Sequence, residues 1–323
     1  MERSVLTRLL LLSGLLVAAF VGTVTTLNLT LYSASGFVHS YLDTLARHDV
    51  EGVLAIPGVT LGNGASTELT ADAALGDLGG IHLLSDSDNG DGTHSVRFGY
   101  SFGGTDGATT FRVEHTGSRF GLFSAWRFTV SPVSTLTVTP LNDSAFEANG
   151  VDLVSNSGPS VANEYRVFTP AFVELSHSST YLTAPKTSVL VDQVGEVSTA
   201  TVTIAANKSF TAEVQKELHT YLADCVTQKV LLPTGCPMGK QIVDRIQNDP
   251  TWSMVNYPTV TIVPGGVAGT WQVPETPAIA HLSVEVKSIF DGSLSHFNQD
   301  VPFTVHYLIT FQADGDPLIT AVP

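Results

Sequence analysis

The sequence predicts an α+β protein: an N-terminal transmembrane helix, then helix-plus-curved-antiparallel-sheet domains on either side of a small all-β module. Three observations carry this reading. No charged residue lies between Arg8 and Asp43, and most of that stretch is apolar. Two later stretches, near 37–54 and 210–228, place apolar residues at helical spacing, and each is followed by long runs of period-two alternation. Glycine-containing turn pairs such as Asn89-Gly90 punctuate those runs, because such pairs tolerate positive φ.

The chain has 323 residues, enough for two or three domains. Hydrophobic residues make up 43% and charged residues 14%, the latter well under the roughly 25% of an average soluble chain. That balance excludes a disordered protein and suits sheets whose exposed faces carry Thr and Ser. The formal net charge of −15 repels nucleic acid and other polyanions. The basic residues form no cluster that would grip a phosphate backbone, so no nucleic-acid partner is expected.

Residues 9–31 read LLLLSGLLVAAFVGTVTTLNLTL. That is long enough to cross a bilayer, which takes about 20 helical residues. Arg3 and Arg8 precede the stretch and Asp43 is the next charge, so the positive-inside rule keeps residues 1–8 in the cytoplasm and the rest outside. Val17-Ala18-Ala19 also offers a signal-peptidase site after a short apolar core. The apolar run continues well beyond it, which favours an uncleaved anchor, although Thr23, Thr25, Thr26 and Asn28 weaken the second half.

The first exterior segment, 33–130, opens with a helix carrying Phe37, Val38, Tyr41, Leu42 and Leu45, continued by Val50, Val53 and Leu54 and stopped by Pro57-Gly58. A shorter helix is expected over 70–75, capped by Thr70. Strands follow over 94–102, 109–114 and 123–128, with turns at Asn89-Gly90, Asp91-Gly92 and Asp106-Gly107. The middle segment, 131–206, shows only strand alternation, as in 136–139 and 197–204, with a turn at Asn149-Gly150. The last segment, 207–323, begins with a helix over 210–228 that puts Phe210, Val214, Leu218, Leu222 and Cys225 on one face, capped by Ser209 or Thr211. Long strands follow, with Leu282, Val284 and Val286 alternating in one and Val301 to Phe311 in another, and turns at Asp291-Gly292 and Asp314-Gly315.

In the first exterior segment, the helical run Ser40-Tyr41-Leu42-Asp43-Thr44-Leu45-Ala46-Arg47-His48-Asp49 is followed by Thr109-Thr110-Phe111-Arg112-Val113 and Phe123-Ser124-Ala125-Trp126-Arg127-Phe128. This order of long helix, short helix and strand meander ending in Trp resembles the nuclear-transport-factor-2-like (cystatin-like) module. It is similar to the extracytoplasmic modules of membrane-anchored actinobacterial envelope proteins of unknown function. The last segment repeats the pattern in outline. The resemblance implies a cone between helix and sheet that in some members holds an apolar ligand. Its lining here would come from Tyr41, Leu45, Phe98, Tyr100, Phe111 and Trp126, with Trp126 and Phe128 packed on the helix.

Cys225 and Cys236 are the only cysteines. An isolated pair in an exported chain predicts a disulfide closing a short loop. No metal site or cofactor is expected. Gly235 to Lys240 is one residue short of a P-loop, and Gln241 stands where a hydroxyl must reach Mg²⁺. Residues 86–92 hold three Asp but lack the glycine and glutamate positions of a calcium loop, which favours a hairpin tip. The ten His are scattered without a His-Glu-x-x-His pair, with His281 and His306 expected on exposed strand faces, and no Gly-x-Ser-x-Gly elbow occurs. Two functional readings remain. One is a non-catalytic envelope scaffold or partner-binding protein, its partner an unknown envelope protein. The other is a small-molecule binder or enzyme using the apolar cone.

Overall fold

The computed structural model describes residues 2–322. Met1 and Pro323 lie outside the described residues, as do the side chains of residues 2–10, Arg3 and Arg8 among them. The chain is mixed α+β, with an N-terminal apolar helix and a curled antiparallel sheet. Helix α1 spans Glu2–Leu29. Within it, Leu11–Leu29 is long and apolar enough to cross a bilayer, and none of it is buried against the rest of the chain. Two of the hydroxyls that dilute its second half are satisfied internally: Thr23 donates to Ala19 O and Thr26 to Gly22 O, each at 2.9 Å. Back-bonding of this kind lets polar side chains sit in an apolar helix at little cost.

Helix α2, Ala34–Ala46, follows after a turn and is capped by Ser33, whose Oγ accepts from Gly36 N–H. The expected single helix breaks here. His48 takes φ 56°, and Asp49 then caps a separate short helix α3, Val50–Leu54. Asp49 competes for the backbone as a cap, and that local bond outweighs continuation of the apolar period. The helix expected over 70–75 is instead two 3₁₀ turns, Glu68–Thr70 and Asp72–Ala74, and neither has a side-chain cap.

Four antiparallel strands form the first sheet in sequence order: β1 Leu78–Asp88, β2 Thr93–Phe102, β3 Thr105–Arg119 and β4 Phe123–Phe128. β1 was not legible as a strand, because its last seven residues, from His82 onward, are exposed and carry no alternation. The acidic stretch at 86–92 is the β1–β2 hairpin tip, where Asp88 and Asp91 accept from Gly90 and Thr93 N–H. Asp106-Gly107 lies inside β3, paired with Ser101 and Tyr100, and the turn falls at Gly103 and Gly104. Gly107 is glycine for packing, since a Cβ there would lie 2.7 Å from the Tyr100 ring.

The middle of the chain is all β, in two sheets. β5 Val133–Leu141, β8 Asn163–Phe168 and β11 Val197–Thr203 make one, ordered β11-β5-β8 with β5 and β11 parallel. β6 Ala145–Ala148, β7 Val151–Val154, β9 Ala171–Ser178, β10 Leu182–Val191 and β12 Ala205–Ala206 make the other. The Asn149-Gly150 turn joins β6 to β7 with both residues at positive φ.

Helix α4, Lys208–Cys225, is capped by Asn207, whose Oδ1 accepts from Phe210 N–H at 3.0 Å. The cap is therefore one residue before the helix, not Ser209 or Thr211. Its buried face is the expected one: Phe210, Val214, Leu218, Leu222 and Cys225. Cys225 and Cys236 are bonded, with Cα atoms 5.9 Å apart. The final sheet is built on a long hairpin of β16 Trp271–Lys287 and β17 Leu294–Phe311. The short strands β13 Arg245–Ile246, β14 Thr251–Asn256 and β15 Val263–Pro264 line the free edge of β16, and β18 Pro317–Ala321 lines β17. Bulges near Pro274 and Val255 bend the sheet around α4.

Two hydrophobic cores result. The first joins α2 to the first sheet and takes in Val133 and Phe168 from the middle sheets. The second is continuous from the middle sheets through α4 and the final sheet, and also takes in Leu69 and Ala74 from the 3₁₀ turns.

Candidate functional site

Five of the six residues expected to line a cone in the first exterior segment are closed inside the first core. Tyr41, Leu45, Phe98, Tyr100 and Phe111 are all buried. Both tyrosine hydroxyls are already engaged. Tyr41 shares its proton between Pro132 O at 3.1 Å and Thr169 O at 2.8 Å. Tyr100 and Thr109 hydroxyls are 2.7 Å apart, and Thr109 donates onward to Asp192 O at 2.8 Å. Ser134 completes this buried set, bonding Thr169 Oγ1 and donating to Gln193 O, each at 2.7 Å. Burial pushes the Tyr41 phenol well above its ordinary range and Tyr100 up to about 12. Both stay protonated as donors. The polar groups that could have met a ligand instead fasten α2 to the residues flanking β5 and β8, and the first sheet to the loop after β10.

Trp126 behaves differently. It is half-buried, and its Nε1 donates to Tyr32 O at 2.9 Å. The rings of His94 and His115 flank it edge-on at 5.0 and 5.2 Å. It packs at the margin of the first core and bonds the segment just after α1. Around it, Asn28 Nδ2 donates to Leu122 O and Asn28 Oδ1 accepts from Ser124 N–H, both at 2.8 Å. Tyr32 stacks on Phe123 at 4.4 Å. The free edge of β4 is thus clasped to the last turns of α1. A groove of about 380 Å³ opens beside the clasp, lined by Tyr32, Phe37, Ile56, Arg119 and Trp126 among others.

A half-open apolar groove also occurs in the last segment, about 370 Å³ between α4, β17 and β18. Tyr221 and Tyr307 meet edge to face there at 6.5 Å. Tyr221 donates to Gly235 O, inside the disulfide loop. Burial raises both phenols above their ordinary range. Glu217 lines this groove from an exposed position.

On the outer face of the β16–β17 hairpin, His281 and His306 are both partly covered, not fully exposed as expected. His281 Nδ1 lies 2.7 Å from Asp300 Oδ1, and Nε2 lies 2.8 Å from Asn298 Oδ1. Ser283 Oγ is 2.9 Å from His296 Nε2. A nucleophile–base pair needs a third group to orient the base. Here the neighbouring carboxylate, Asp300, bonds His281 and not His296. Among the described residues, no Asp or Glu is buried, and no three His, Cys, Asp or Glu side chains group closely enough to hold a metal ion.

No family model, curated protein or solved structure matches this chain. The clasp was not foreseen from sequence. Its signals were Asn28 inside an apolar run and Tyr32 at its end, and neither names a partner 91 or more residues away.

Proposed function

We propose that this is a single-pass membrane-anchored protein of a bacterial cell envelope, with its N-terminus cytoplasmic and its β-rich part outside, serving as a non-catalytic scaffold or partner-binding protein. The observation that carries this is the clasp. An apolar helix exposed over most of its length is hydrogen-bonded at its end to the edge of a folded sheet, which supports reading the helix as part of the architecture. An exposed apolar helix of this length is stable only in lipid or against another protein. The Cys225–Cys236 bond agrees with an oxidising compartment. The helix-and-curled-sheet segments are assigned to the nuclear-transport-factor-2-like class on element order. The filled first core supports binding at surfaces over chemistry in a cavity.

The test is recovery of the protein from cells. The anchor reading expects it in the membrane pellet after alkaline carbonate extraction, with an intact N-terminus by mass spectrometry and with residues beyond 33 open to protease added from outside. A soluble mature chain starting at Phe20 would overturn it. The groove between α4 and β18 supports a second reading, binding of an apolar small molecule. That reading expects a co-purifying compound in native mass spectra, lost on Tyr307→Ala.

A further inference from the structure

The turn between β3 and β4 holds an aromatic ring in water for no internal reason. Phe120 is 91% exposed and Leu122 42% exposed. Phe120 is held at φ 56° and Gly121 at 69°, with Leu122 N–H donating to Arg119 O at 3.1 Å. The first position of such a turn suits Asn or Gly and strains a bulky side chain. A strained ring that adds nothing to the core points to a contact outside the chain.

The anchor indicates what that contact is. β4 and the end of α1 run side by side in the same direction, with Asn28 facing Leu122 and Ser124 and Tyr32 facing Trp126. Asn28 bonds residues on both sides of Phe123, so the turn holding Phe120 extends past it alongside the residues of α1 that precede Asn28, inside the Leu11–Leu29 span. Tyr32, Phe123 and Trp126 lie just beyond it, as aromatic residues do at a bilayer interface. On β1, Leu83 is 48% exposed and shares a shallow groove with Leu31. No Asp or Glu occurs along the chain between Glu114 and Asp143, while the acidic β1–β2 tip lies at the same end of the sheet, its Gly92 O accepting from His115 N–H.

We propose that Phe120 and Leu122 insert into the extracytoplasmic leaflet beside the anchor helix. The folded part then sits on the lipid surface in a fixed orientation instead of swinging on a tether. The ligand is the glycerol and acyl layer of the bilayer, met by apolar contact and not by charge. This rests on the anchor reading above.

Both native cysteines are in the disulfide, so a single added cysteine can be labelled selectively. The full chain carrying Phe120→Cys, Phe290→Cys or Val21→Cys with an environment-sensitive fluorophore is placed in phosphatidylcholine vesicles containing nitroxide-labelled lipid. The proposal expects the label at 120 to shift to the blue and lose most of its emission to the nitroxide. That loss should be unchanged by high salt, while the label at 290, which replaces a side chain 93% exposed, keeps its emission. A label at 120 that stays bright while the one at 21 is quenched overturns the insertion and leaves the anchor standing. Bright labels at both 21 and 120 overturn the two together. A label at 120 that is shielded from water yet unquenched by lipid gives the tip to a protein neighbour and overturns the proposal.

Discussion

Tyr41 shows how one hydroxyl decides whether a cavity exists. Its ring fills the space between α2 and the first sheet, and its proton ties the helix to two carbonyls from the middle of the chain. Tyr41→Phe keeps the ring and leaves those carbonyls short of a donor in a dry site. The expected loss is about 1–2 kcal/mol, read as a lower midpoint in urea for the full chain in mild detergent. An unchanged midpoint would mean that water reaches the carbonyls and the core is more open than described. Trp126 is the contrasting case. A fully buried large aromatic costs roughly 3–5 kcal/mol to truncate, but this one is half-exposed. Trp126→Phe, which mainly removes the bond to Tyr32 O, should cost about 1 kcal/mol. The same change should raise hydrogen exchange at residues 28–34 while leaving the far end of the first sheet protected.

At the scale of elements, the β16–β17 hairpin and the α4 loop carry distinct devices. Both partners of His281 are acceptors, so both ring nitrogens donate only in the charged form. That raises the His281 pKa above the ordinary 6.5, with Asp300 the largest cause. A group whose folded pKa is raised contributes its stabilisation fully below the unfolded value and loses it as pH rises through the folded value. The hairpin face is therefore expected to be tightest below about pH 6.5 and to loosen above that. Asp300→Asn should bring the His281 ring titration, followed by NMR, back down. The disulfide acts on the loop after α4. Replacing Cys225 and Cys236 together by Ser should cost roughly 2–3 kcal/mol. Limited proteolysis should then cut first within residues 226–244, where Tyr221 loses its fixed acceptor at Gly235.

For the whole molecule, the two cores matter more than the three segments along the chain. Tyr181, in the turn after β9, packs against Phe210 of α4 at 5.5 Å and Phe311 of β17 at 6.0 Å. Leu182 pairs with Ala206 across β10 and β12. The middle sheets and the last segment should therefore unfold as one unit. Phe210→Ala removes a fully buried ring that also meets Trp271, and should cost about 3–5 kcal/mol. Hydrogen exchange should show protection falling together over 133–206 and 208–322, with a smaller loss over the α2 core, which shares Val133 and Phe168 with the middle sheets. Loss confined to 208–322 would mean that the middle sheets stand alone.

The sequence by itself determined whatever depends on neighbours along the chain. The apolar run of α1, the buried face of α4, the turns at Asn149-Gly150 and Asp291-Gly292, and the lone cysteine pair were legible because periodicity, turn chemistry and pairing by elimination are local signals. Only the tertiary structure decided where α2 ends, since His48 and Asp49 form a cap that breaks an unbroken apolar pattern. Only it showed that Tyr41 and Tyr100 are consumed by Pro132, Thr169 and Thr109, because a hydroxyl's partner across 91 or 128 residues leaves no trace in its own surroundings. The same holds for the clasp between Asn28 and β4. A polar residue in an apolar helix announces a need for partners, and the folded chain alone determines which groups meet it.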